Sequence, residues 1–190
     1  MATRSEIIIK AYKCLDEIYP DQQLPDEMQE FRVESFVDEA IRFIGRVAPV
    51  RALGAGKDFK STTLNNNSVA LPSGFVRLIS FQMDDWVLPV TEALYTDNPR
   101  YKQQTNSVLK GSANRPIVFI NEANNALEYY SSKSETIKEA RAFVVDSSVD
   151  YPEQLSSVIA WKTAELVLSM MNDTAVQFAQ NQIQQQLQAL

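Results

Sequence analysis

The sequence predicts an α+β fold: a helical bundle of two N-terminal helices and a long C-terminal helical region, with a small antiparallel β-sheet of about five strands inserted between them. Apolar residues recur at helical spacing before about residue 48 and after about residue 152. Between these regions, short runs of β-branched and aromatic residues are separated by turn-forming residues. We therefore expect one domain over residues 1–190, with its β region at about 69–145.

The first helix is predicted at about 4–18, because Thr3 and Glu6 have the spacing of a capping box and Pro20 follows. The second is predicted at about 26–48, opened by Pro25-Asp26 and ended before Pro49. One of its faces carries four carboxylates: Glu27, Glu30, Glu34 and Asp38. Such a row could hold a cation, but we interpret it as a solvated face on which Asp38 pairs with Arg42 at i,i+4.

The clearest hairpin is predicted at 71–90, where Phe75 to Met83 is the first strand, Asp84-Asp85 the turn and Trp86 to Val90 the returning arm. A second hairpin is expected from the runs 117–120 and 127–130, and a fifth strand from 140–145. The stretch 91–111 has few periodic apolar residues and is predicted to be a long irregular loop.

The C-terminal region predicts helices at about 152–171 and 174–189, the first apolar on most faces and therefore deeply buried. From Thr174 to Leu190 there is no charged residue, and a stripe of apolar residues opposes a row of glutamines. Glutamine can be buried at a lower desolvation cost than an ion. We expect a helix with a covered apolar side and an amide side that faces another protein or copy; the alternative is a frayed, low-complexity terminus.

Composition excludes most catalytic schemes. The chain has no histidine, which removes imidazole acid–base catalysis, nucleophilic triads and metal sites that need His. Cys14, the only cysteine, is expected to be a small core residue with no base to activate it. A net charge of −6 argues against a protein that binds nucleic acid by neutralising phosphates. No stretch approaches the roughly 20 apolar residues of a membrane span. We expect no enzyme activity, cofactor or metal.

The most basic part of the chain runs from Arg42 to Lys60. Gly54-Ala55-Gly56-Lys57 invites comparison with a phosphate-binding loop, but Arg51 stands where the motif needs Gly and Asp58 where it needs Ser or Thr. We interpret this segment as a flexible basic connection.

Two sequence blocks, ALPSGFVRLISFQMDDWVLPV at 70–90 and NRPIVFI at 114–120, weigh most in a resemblance that extends over about 25–170. In this order of elements the chain resembles the head-to-tail connector proteins (adaptor or tail-tubular ring proteins) of short-tailed bacteriophages, especially crAss-like phages. The resemblance implies a non-enzymatic virion subunit, assembled in the host bacterial cytoplasm, that forms a ring of twelve copies under the portal. Such a ring completes the head, extends the DNA channel and docks the tail or further ring proteins, and DNA passes through it only as cargo.

The resemblance also implies that the last helix is a protruding arm that reaches the portal. Its expected contact residues are Val176, Ala179, Gln180, Ile183, Gln184, Leu187, Gln188 and Leu190. Basic residues expected at subunit or portal contacts are Arg46, Arg51, Lys57 and Lys60.

Two other functions compete with this one. The chain could be a non-enzymatic α+β interaction module that docks one partner through its Gln-rich C-terminal helix. It could also be an enzyme that uses carboxylates such as Asp84-Asp85, although a turn explains that pair better.

Overall fold

The computed structural model describes residues 1–20, 33–60, 64–65, 67–106, 108–130, 132–134, 136–171 and 173–190. Its residues divide into two compact units. The helical unit consists of Met1–Gly54 and Val145–Leu190, and the sheet unit consists of Ala55–Val144. The mixed α+β class is confirmed, and within the described ranges the sheet unit follows two α-helices and precedes two more along the chain. The organisation of residues 1–190 as a single domain stays a prediction.

The helical unit is built around one buried helix. Its members are α1 (Arg4–Ile18), α2 (Glu34–Val47), α4 (Glu153–Met170) and α5 (Val176–Ala189), and the short α3 (Pro99–Gln103) belongs to the sheet unit. Helices α1, α2 and α5 each pack against α4. This arrangement explains why α4 is apolar on most faces, as predicted, and why Leu155, Ile159 and Leu168 are fully buried.

The helix ends follow the predicted chemistry. Thr3 and Glu6 form the reciprocal capping box at the start of α1, and α2 ends at Val47, just before Pro49. The predicted start of the second helix at Pro25-Asp26, with Glu27 and Glu30, lies outside the described residues. The buried face of α2 consists of Val37, Ala40, Ile41, Ile44 and Gly45.

The sheet unit contains two sheets, so the prediction of a single antiparallel sheet of about five strands is wrong. One sheet has three strands in the order β1 (Lys57–Asp58), β8 (Ile137–Val144), β4 (Phe75–Met83). The other has five, in the order β2 (Leu64–Asn65), β3 (Ser68–Ala70), β7 (Ala126–Tyr129), β6 (Val118–Asn121), β5 (Leu94–Tyr95). The β6–β7 hairpin is confirmed, but β5 pairs with β6 in parallel.

The central hairpin is also corrected. Strand β4 pairs along its length with β8, and only Val90 of the predicted returning arm pairs with it, through Phe81. The chain turns at Asp84-Asp85 as expected, but the N–H of Trp86 donates to Met83 O at 3.0 Å, which continues the turn. The indole of Trp86 is buried against Phe81, with ring centroids 5.7 Å apart. The residues after the turn are therefore held by the burial of this large side chain, while the strand partner of β4 is β8.

Candidate interaction surfaces

The uncharged tail folds back on its own chain instead of protruding. Helix α5 packs against α4, where Ala179 is 0% and Ile183 5% exposed. The ring of Phe178 lies edge-on to Trp161, with centroids 5.8 Å apart. The apolar side of the tail is therefore covered, as predicted, but by α4 of the same chain. Ala179 and Ile183 are inaccessible to a partner, and their predicted role as contact residues is wrong.

Asp173 fixes the point at which α5 begins. Its Oδ1 accepts from the N–H of Ala175 at 2.7 Å, while its Oδ2 accepts from the hydroxyl of Tyr19 at the end of α1. Desolvation, reinforced by this hydrogen bond, raises the pKa of Tyr19 to about 12. The same carboxylate thus positions the start of the tail and ties it to α1.

A nearly buried polar network lies beside the tail. Lys162 and Glu165 of α4 form an ion pair, with side chains only 12% and 8% exposed. Gln180 of α5 donates to Glu165 Oε1 at 3.1 Å, and Lys162 Nζ lies 4.2 Å from the centroid of the Phe43 ring of α2. Both charges of the network have a partner, so it joins α2, α4 and α5 without leaving either charge buried and unpaired.

The outer face of α5 is exposed and free of charge. Two predicted contact residues, Gln184 and Gln188, lie on it, whereas Val176, Gln180, Leu187 and Leu190 are partly buried. We call this face the amide face; its exposed residues are Gln177, Phe178, Asn181, Gln184, Gln185, Gln188 and Ala189. Its Gln and Asn side chains can donate and accept hydrogen bonds without the desolvation cost of an ion, so the face is suited to contact with another protein.

The predicted basic contact residues fall in both units. Arg46 and Arg51 are exposed in the helical unit, where Arg51 Nε donates to the carbonyl of Leu190 at 3.1 Å. Lys57 and Lys60 belong to the sheet unit, where Lys60 pairs with Asp58 at 3.7 Å. Arg51 thus holds the end of the tail, and the role of all four as subunit or portal contacts stays a prediction.

The connection between these basic residues has a defined local geometry. Gly56 adopts φ +65°, and a Cβ added to it would lie 2.4 Å from Ile79 Cδ1 and 2.6 Å from Ala142 O. Lys57 and Asp58 then pair with β8. Glycine is needed here for a close approach of two backbones, and the interpretation as a flexible connection is wrong.

The candidate carboxylates take structural roles. Asp38 accepts from Arg4 Nε at 3.0 Å, so its predicted pairing with Arg42 is wrong. Desolvation acts to raise the pKa of Asp85, but hydrogen bonds from the Lys133 N–H and the Ser132 hydroxyl outweigh it and hold that pKa below its usual range. Asp85 therefore anchors the loop before β8, in line with its interpretation as a turn residue.

The described part of the chain has neither a reactive thiol, nor a metal-binding cluster, nor a membrane-spanning helix. Burial, reinforced by Glu17, raises the pKa of the Cys14 thiol to about 12, so this thiol is protonated at neutral pH. No group of three or more Cys, Asp or Glu side chains within the described ranges could hold a metal ion. None of the helices described combines the length and apolar character needed to cross a bilayer.

The sheet unit contains a cleft that sequence reasoning missed, formed where the predicted 91–111 loop meets the residues before β6. Its volume is about 800 Å³, and it is lined by Val90, Glu92, Leu94, Arg100, Gln103, Gln104, Val108, Leu109, Lys110, Gly111, Ser112, Asn114, Arg115, Pro116 and Ile117. We call it the basic cleft. The sequence carries one trace of it: between Asp97 and Glu122 there are four Lys or Arg residues and no acid, although this run does not show that the side chains converge.

Part of this loop is ordered by its own hydrogen bonds. Helix α3 (Pro99–Gln103) is capped by Asn98, and Gln104 then accepts from the Gly111 N–H at 3.0 Å. Asn106 Oδ1 accepts from the N–H groups of Val108 and Leu109 at 2.9 and 3.3 Å. These bonds hold the side chains of Val108 and Leu109 in solvent, 85% and 57% exposed.

A comparison of the sequence with models of known protein families gives no match, and a comparison with curated proteins gives none either.

Proposed function

We propose that this protein is a ring-forming subunit of the head-to-tail connector of a short-tailed bacteriophage, seated under the portal, where it completes the head, extends the DNA channel and docks the tail. The amide face of α5 carries the proposal: a helix held firmly by its apolar side presents an uncharged, hydrogen-bonding surface to the outside. The resemblance of the blocks at 70–90 and 114–120 to connector proteins supplies the family.

The charge of the chain supports the same proposal. A net charge of −6 suits a channel through which DNA passes as cargo, because negative walls repel phosphates and DNA slides without adhering. A heterologous ring uses two different faces of each subunit, so exposed apolar side chains such as Val108 and Leu109 become buried only on assembly. In this proposal the virion is the location of the protein and the portal is its first partner.

A second candidate is supported by the same amide face. The protein would then be a non-enzymatic interaction module whose α5 docks a single partner. The two candidates differ in self-association, since only the connector forms rings.

The test is to image the purified protein, alone and with the portal protein of the same phage, by negative-stain electron microscopy, with mass photometry to count subunits. We expect rings and a ring–portal complex. In the double variant Gln184→Glu/Gln188→Glu, two charges enter the amide face and must be desolvated at the contact, so portal affinity should fall by about tenfold or more.

The matched control is Ser5→Glu/Gln154→Glu, which adds the same charge at exposed positions in the first turns of α1 and α4 and should bind the portal normally. A monomer that binds one non-portal partner through α5 would favour the interaction module. Equal portal binding by both double variants would contradict the role of the amide face.

A further inference from the structure

The two units divide the charge of the chain unequally. The helical unit has 8 basic and 15 acidic residues, a net charge of −7, whereas the sheet unit has 10 basic and 9 acidic residues, a net charge of +1. All of the excess negative charge therefore belongs to the helical unit. The sheet unit, in contrast, gathers three cations around one cleft: Arg100, Lys110 and Arg115.

These cations are available to an external partner. Within the described ranges, none of the three lies within 4 Å of a carboxylate, although Glu92 also lines the cleft. All three are exposed. Three like charges around one concavity repel each other, and an anionic group that enters it relieves the repulsion.

The lining of the cleft favours a protein over a nucleic acid. None of its lining residues in the described part of the chain is aromatic, so it lacks the aromatic platform on which bases commonly stack. The exposed side chains of Val108 and Leu109 form part of the lining, and their burial stabilises a contact with another protein surface. The cleft thus combines positive charge with the exposed apolar side chains of Val108 and Leu109, so it is complementary to a protein surface that is acidic and partly apolar.

A second copy of the chain offers such a surface at the end of α1. Asp16 and Glu17 are exposed there, and the last turn of α1 contains no basic residue. A helix C-terminus favours cations, so two carboxylates at this position add to the negative end of the helix dipole, and the nearest cation of the helix, Lys13, lies one turn earlier. Within the described part of the chain, neither carboxylate has a cationic partner within 4 Å. Ile9, 55% exposed on the same helix, adds apolar surface.

We propose that copies of this protein associate head to tail, with the basic cleft of one copy docked on the acidic C-terminal end of α1, at Asp16 and Glu17, of the next. This contact is heterologous, because the two surfaces differ, and repetition of a heterologous contact closes into a ring when its rotation allows. The inference rests on the proposed function and deepens it by naming the contact that joins neighbouring subunits.

The test exchanges the charges of the two surfaces and measures self-association by sedimentation velocity. It uses about 50 mM NaCl, where charges are weakly screened, and about 500 mM NaCl, where they are strongly screened. Lys110→Glu/Arg115→Glu and, separately, Asp16→Lys/Glu17→Lys should each weaken self-association by about tenfold or more, because like charges then meet at the contact. A chain that carries all four substitutions should regain association to within about threefold of wild type, since the opposite charges meet again with their signs exchanged.

The matched control is Lys133→Glu/Lys138→Glu, which makes the same change of charge at exposed positions of the sheet unit outside the cleft and should assemble normally. Failure of the fourfold variant to regain association, or normal assembly of either double variant, overturns the proposed contact. If assembly of Lys110→Glu/Arg115→Glu is unchanged and its affinity for a labelled 30-base oligonucleotide falls instead, the cleft binds phosphates and the proposal is also wrong.

Failure of this inference and failure of the proposed function can be distinguished. Rings that form equally well in every variant would retain the connector function and reject this contact. Cleft-dependent oligomers that never bind the portal would retain the contact and reject the connector function. A wild-type chain that stays monomeric at both salt concentrations would reject both.

Discussion

At the scale of single residues, the polar pairs that hold the helical unit together are long-range in sequence. Asp38 pairs with Arg4 and not with Arg42, four residues along its own helix. Tyr19 donates to Asp173, which is 154 positions away. Local spacing predicts caps and turns, as at Thr3 and Glu6, because both partners lie within one turn. It does not predict partners that tertiary packing brings together.

The Tyr19–Asp173 bond predicts a specific alkaline sensitivity. A pKa raised from 10.0 to about 12 means that the folded protein binds this proton more tightly than the unfolded chain does. Its contribution to stability is therefore complete below pH 10 and is lost as pH rises toward about 12. In Tyr19→Phe, unfolding by urea should cost about 1 kcal/mol less at pH 8, because the hydrogen bond is gone.

Comparison of the two chains across pH separates this bond from general alkaline unfolding. The stability difference between wild type and Tyr19→Phe should shrink between pH 10 and about 12, because only wild type has this proton to lose. Tyr95→Phe, at an exposed position, serves as the control and should follow wild type throughout. A difference that stays constant up to pH 12 would show that the Tyr19 hydroxyl is not the group responsible.

At the scale of elements, periodicity predicted the existence and the ends of the helices because it reports which face is buried. The tail shows the limit of periodicity as a predictor. The apolar stripe through Ala179 and Ile183 correctly predicts that one side is covered, but it does not identify α4 as the element that covers it. The strands were harder to predict for the same reason. Phe75 to Met83 was recognised as a strand, but its partner β8 lies more than fifty residues later, and no local pattern specifies that pairing.

The candidate surfaces also differ in whether they are visible in the local sequence or form only when the chain folds. The amide face was predictable because absence of charge is visible in the sequence. The basic cleft was not recognised, since Arg100 and Arg115 converge only when α3 folds back beside the start of β6. The run without acidic residues between Asp97 and Glu122 was visible but has no meaning until the cleft is known.

The packing of α5 predicts that its two sides differ sharply in their contribution to stability. Ile183→Ala should lower the free energy of unfolding by about 2–4 kcal/mol, because it removes a side chain that is 5% exposed against α4 and leaves a cavity. Gln184→Ala, one position along on the amide face, should change it by less than about 0.5 kcal/mol. Urea denaturation followed by circular dichroism measures both. Equal effects would mean that α5 does not pack on α4 in solution.

At the scale of the whole molecule, the two units have separate cores. Buried residues of the helical unit centre on α4, while those of the sheet unit centre on β4, β8 and the aromatic group of Phe81, Trp86 and Tyr129. Units that bury their own apolar surface can open independently, with different free energies. The structure therefore predicts that a substitution that destabilises one core first increases local unfolding within the same unit.

Gly56→Ala tests this prediction. The added methyl group would meet Ile79 Cδ1 at 2.4 Å and Ala142 O at 2.6 Å, and the positive φ of +65° disfavours any L side chain, so the segment that leads into β1 must shift away from β4 and β8. Hydrogen exchange measured by mass spectrometry should accelerate by about tenfold or more in β4 and β8, while the amides of α4 exchange as in wild type. Ala55→Ser, at the exposed neighbouring position, should leave both units unchanged. Equal acceleration in α4 would instead show that both units unfold together as one cooperative domain, because the loss of one core would then remove the other.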